Sequence, residues 1–67
     1  MEIKGQVGET AGKIWKMLNE RGPLTLAQIK KGLNGTGELV VFALGWLARE
    51  DKVEISHEKK SFRVTLR

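Results

Sequence analysis

The apolar residues of this chain change their period along its length, and each change marks an element boundary. Val7, Ala11, Ile14 and Leu18 recur at helical spacing, with Trp15 and Met17 at the edges of their stripe. At about 100° per residue they share one face, and Glu9, Lys13, Lys16 and Glu20 share the other. Glu9 with Lys13, and Lys16 with Glu20, stand at the spacing that supports a helix through charge pairs. Gly22 suits the residue just past a helix end and Pro23 cannot continue the helix. A first helix is therefore predicted over residues 7–21, after a loose leader at residues 1–6.

Pro23-Leu24 reads as extended and offers a short first strand. Thr25 then caps a second helix, and Gln28 completes the capping-box spacing. Leu26, Ile29 and Leu33 line one side, with Gln28 and Lys31 outward, before Gly32-Leu33-Asn34-Gly35 breaks the pattern. A helix limited to residues 25–32 is too short to persist alone and must be held by its neighbours. A third helix is expected over residues 36–50, with Thr36 as N-cap and Glu38 favouring the helix dipole. Leu39, Val40, Ala43, Leu44, Trp46 and Leu47 cover one broad arc of it. The remaining sector holds Glu38, Val41, Gly45 and Arg49, flanked by Phe42 on one side and Ala48 on the other.

After Asp51-Lys52 the period falls to two, and residues 53–67 read as a hairpin. Pairing Val53 with Leu66, Ile55 with Val64 and His57 with Phe62 puts every large apolar residue on one face. Glu54, Ser56, Arg63, Thr65 and Arg67 then point outward, and Glu58-Lys59-Lys60-Ser61 forms a four-residue loop.

A chain of 67 residues makes one domain, near the lower limit at which a core stands without staples. It has no Cys, which excludes disulfides and thiolate metal sites. No apolar run approaches the roughly 18 residues of a membrane span, and Met1-Glu2-Ile3-Lys4-Gly5 lacks the apolar segment of a signal peptide. The expectation is a cytoplasmic protein with no membrane partner. Twelve Lys and Arg against eight Asp and Glu give a net charge of +4 and a pI near 9.8, a field that attracts polyanions at low salt.

Catalytic chemistry finds few residues to work with. His57 is the only histidine and has no Cys or carboxylate cluster beside it to make a metal site. Ser56 and His57 fall on opposite faces of a strand, so they form no nucleophile–base pair. Gly32, Gly35 and Gly37 surround a helix start, but no phosphate-loop lysine follows and Glu38 occupies the positive end. No catalytic residue, metal, cofactor or small-molecule ligand is predicted.

Three helices closed by a two-stranded hairpin make an α+β domain with the layout of a winged helix-turn-helix. Gly8-Glu9-Thr10-Ala11-Gly12-Lys13-Ile14-Trp15 and Ala43-Leu44-Gly45-Trp46-Leu47-Ala48-Arg49-Glu50-Asp51-Lys52 carry a more specific likeness. With these segments the chain resembles a small stand-alone winged helix family of bacteria and archaea whose members are described mainly by fold. The resemblance implies a helix-turn-helix architecture and a DNA-binding role of largely unassigned purpose. It brings no catalytic residues with it.

In helix-turn-helix docking the start of the third helix faces base edges, which places Thr36, Gly37, Glu38, Val41, Phe42 and Gly45 in reading positions. Base readout relies chiefly on Arg, Lys, Asn and Gln, and none of these occurs in residues 36–48. The cations stand elsewhere: Lys30 and Lys31 end the second helix, Lys59 and Lys60 tip the wing, and Arg63 stands on its outer face. The expected function is regulator-type DNA binding dominated by phosphate contacts from these residues, as a homodimer. The alternative is a protein-interaction or dimerisation module that binds no nucleic acid and uses Val41, Phe42, Gly45 and Ala48.

Overall fold

The first element begins earlier than its apolar stripe. In the computed structural model, which describes residues 3–33 and 37–67, helix α1 runs Ile3–Arg21. Residues 3–6, expected as a loose leader, are its opening turn. Once Val7 and Ala11 hold the helix against the core, each further residue adds a hydrogen bond without a new nucleation step. Apolar periodicity therefore marks where the helix is buried and not where it starts. Its other end follows the sequence: Gly22 sits at φ 83°, and its N–H donates to the Leu18 carbonyl at 2.8 Å.

Strand β1 (Leu24–Thr25) leads directly into α2 (Leu26–Gly32). Thr25 serves both elements. Its hydroxyl oxygen accepts from the Gln28 N–H at 3.2 Å, and its own N–H donates to Gln28 Oε1 at 2.9 Å, completing the capping box. Helix α2 drives one fully buried side chain, Ile29, into the core.

Helix α3 spans Gly37–Arg49; its expected cap, Thr36, lies outside the described residues. Val40, Ala43, Leu44 and Leu47 are its buried side. That side is narrower than the apolar arc of the sequence, because Trp46 is 47% exposed. Ala48 departs in the opposite sense. It stands four residues after Leu44 in the same row, so it is half-buried against the core and not part of an exposed strip. The helix closes with Asp51 at φ 58°: the Asp51 N–H donates to the Ala48 carbonyl at 3.1 Å and the Lys52 N–H to the Leu47 carbonyl at 3.0 Å.

Strands β2 (Val53–Glu58) and β3 (Ser61–Leu66) form the wing, and β1 adds to the other edge of β3, giving an antiparallel sheet in the order β1-β3-β2. The register is the expected one, with Val53 opposite Leu66, Ile55 opposite Val64 and His57 opposite Phe62. The loop is tighter than expected. Glu58 pairs with Ser61, so only Lys59 and Lys60 turn the chain, with Lys59 at φ 44°. Within this ladder Arg63 and Glu58 share a face, and Arg63 Nε donates to Glu58 Oε1 at 3.1 Å.

Every element supplies at least one buried aliphatic side chain to a common core, and no polar side chain is buried among the described residues. Gly45 lies in α3 on the side away from that core, and among the described residues a Cβ placed on it would meet nothing within 4 Å beyond the helix's own backbone.

Three stability measurements check this account. Thr25→Ala should cost about 1 kcal/mol in denaturant unfolding, by loss of the cap. Val64→Ala should cost about 2–3 kcal/mol, a large share of the roughly 3–10 kcal/mol expected of a chain this long. Gly45→Ala should raise the stability of the isolated chain by about 1 kcal/mol, since helix propensity improves and nothing is displaced.

Candidate nucleic-acid interface

Helix α3 is two-faced. Opposite its buried side, Gly37, Glu38, Val41, Phe42 and Gly45 are all exposed, Val41 to 48% and Phe42 to 57%. These are the positions that docking would turn toward base edges. They present one carboxylate, two apolar side chains and two glycines, so the face lacks the forked donors that read guanine and adenine. Glu38 remains able to accept from a cytosine amino group.

The candidate cations lie outside these positions, on α2 and on the wing. Lys30 and Lys31 occupy the last turn of α2 and are exposed. The Lys30 side chain runs past the start of α3, and with Gly37, Glu38, Val41 and Phe42 it lines a shallow depression of about 390 Å³. Lys59 and Lys60 form the wing turn, exposed and with no carboxylate within 4.0 Å among the described residues. Arg63 differs, because its guanidinium is engaged with Glu58 at 3.1 Å. Both side chains are about half exposed, so the pair adds little stability and can open toward another anion.

The structure thus brings Lys30, Glu38, Val41 and Phe42 round one depression. It links Arg63 to the start of α2 through the pairing of Thr25 with Arg63. Lys59 and Lys60 line a different depression, with Glu58 and Ser61, from the one that Lys30 lines.

Two surfaces escaped the sequence pattern. Trp15 and Trp46 line one groove between α1 and α3, about 530 Å³ in volume, together with Gly8 and Gly12 of α1 and with Asp51, Lys52 and Arg67. Both indoles are half-exposed rim residues. The signal for the groove was the Gly8/Gly12 spacing on α1, which leaves room beside a tryptophan three residues on. The second is the apolar side of the wing. The hairpin outruns the core, so Val53 and Val64 are buried while Ile55 and Phe62 are exposed, with His57 stacked on Phe62 at 4.7 Å between ring centres.

Among the described residues no cluster of His, Cys, Asp or Glu is placed to hold a metal ion, and no helix is long and apolar enough to cross a membrane.

Comparison with known proteins places this geometry in a family. An uncharacterised protein of Methanocaldococcus jannaschii is 44% identical over 69 residues, an alignment covering 98% of this chain and 97% of the relative. The model of the family described as winged helix-turn-helix domain, DUF2582, matches residues 1–66. Helices and sheet alike fall within that match, and the chain belongs to the winged helix-turn-helix domain family DUF2582.

Proposed function

We propose that the domain binds duplex DNA as a regulator-type module, holding it chiefly by its phosphates. Lys59, Lys60 and Arg63 on the wing and Lys30 and Lys31 on α2 make the contacts. The observation that carries this reading is the separation of charge from the recognition face. On a fold that commonly binds DNA, the wing turn is made of two lysines with no carboxylate partner among the described residues, while the exposed side of α3 from Gly37 to Gly45 holds no Arg, Lys, Asn or Gln to read bases. Such an interface binds with strong salt dependence and little sequence preference. Glu38 in the first turn of α3 adds at most a local polar contact to it, as does Thr36, which lies outside the described residues.

A second reading rests on Val41 and Phe42. Two large apolar side chains about half exposed on one helix face suit a protein partner better than a polyanion. In that reading the domain is an interaction module and the lysines keep the wing soluble.

Duplex affinity measured across a salt series separates the two. For the Lys59→Ala/Lys60→Ala double variant, binding at low salt should weaken, and the slope of log K against log salt should shrink by about 2, near 0.9 for each phosphate no longer neutralised. Equal affinity and equal slope for variant and parent would remove the proposed mechanism. No binding by the parent at low salt would favour the interaction module.

A further inference from the structure

We propose that two copies of this chain pair through the exposed face of α3, antiparallel about a two-fold axis. The inference deepens the interaction reading of that face and does not depend on DNA binding. Positions 38, 41, 42, 45, 46 and 49 follow helical spacing and are all exposed, and they lie opposite the buried side made by Val40, Ala43, Leu44 and Leu47. The stripe is self-complementary when read from its two ends. Glu38 answers Arg49, Val41 answers Trp46, and Phe42 answers Gly45, and all three pairs share one midpoint between Ala43 and Leu44. A two-fold axis at that midpoint sets each residue against its answer on the second copy.

Size and charge both fit. Phe42 is the most exposed large apolar side chain among the described residues, at 57%. The partner's Gly45 offers it an open floor, because no described residue beyond the helix's own neighbouring backbone comes within 4 Å of a Cβ placed there. Within one copy Gly45 weakens α3 without admitting any neighbour; across the seam it admits an aromatic ring. Val41 packs on the indole of the partner's Trp46, and Trp15, in the same groove as Trp46, widens the apolar strip toward α1. Glu38 and Arg49 make no ion pair with the described residues of their own chain, and the antiparallel arrangement gives each a partner of opposite sign. It also sets the positive end of each helix beside the negative end of the other.

The expected seam is small. A helix of 13 residues is about 20 Å long, which places the contact near the lower bound of specific interfaces, roughly 1,200 Å² in total. The dimer therefore exchanges with monomer and is concentration-dependent. The seam uses none of Lys30, Lys31, Lys59, Lys60 or Arg63, so self-association and phosphate binding are separable properties.

Sedimentation of the DNA-free chain from about 10 µM to about 1 mM tests the pairing. The parent should pass from monomer to dimer. Glu38→Arg and Arg49→Glu should each weaken the dimer by about tenfold, because each sets like charges together twice. The Glu38→Arg/Arg49→Glu double variant should return to within about threefold of the parent, since the two charges have exchanged places. Amide spectra of each variant confirm the fold, which exposed side chains leave unchanged. A parent that stays monomeric throughout, or a dimer indifferent to the single exchanges, overturns the proposal. DNA binding unchanged in the wing variant, with the dimer intact, overturns the DNA reading alone.

Discussion

The structure depends on β3. Its residue Val64 is fully buried and stands opposite both Leu24 and Ile55, so one strand joins a segment before α2 to the wing after α3. Helix α2, only 7 residues long, has little stability of its own. It is held because Thr25 pairs with β3 and caps the helix in the same residue. The wing is anchored by the same strand near Val53 and Leu66 and runs free of the core beyond Ile55. Both lysine pairs of the proposed phosphate interface are thereby carried on elements that β3 positions.

Size imposes the second constraint. A domain of this length cannot cover both sides of a helix. Helix α3 gives one side to the core and leaves the other, with Val41, Phe42 and Trp46, open. An exposed face of this composition is poorly suited to base edges and well suited to another helix. The proposed phosphate contacts from wing and α2, with α3 left for the proposed second copy, would give each surface a task that matches its chemistry.

Much of the fold was legible in the sequence because its signals are local. The Gly22-Pro23 stop, the Thr25/Gln28 capping box and the hairpin register each rest on a few neighbouring residues, and all appear in the structure. The misreadings have physical causes. Residues 3–6 are helical through propagation, which leaves no apolar signature. Glu58 and Ser61 join the ladder because Lys59 and Lys60 alone suffice for the turn, which alternation of apolar residues does not reveal. Trp46 and Ala48 exchanged environments because hydrophobicity ranks the indole as core, whereas position on the wheel assigns the buried row to Ala48. The site was less legible than the fold. The wing and α2 cations and Glu38, Val41, Phe42 and Gly45 could be named from the sequence, but the openness above Gly45, the exposure of Trp46 and the groove it shares with Trp15 are tertiary facts.

The central claim is that the wing and α2, and not the exposed face of α3, meet DNA. An amide NMR titration of the labelled chain with a mixed-sequence duplex, at two salt concentrations, tests it most directly. The account predicts shifts centred on Lys30, Lys31, Lys59, Lys60 and Arg63 that fade as salt rises. Shifts centred instead on Glu38, Val41, Phe42 and Gly45, or none at low salt, would contradict it.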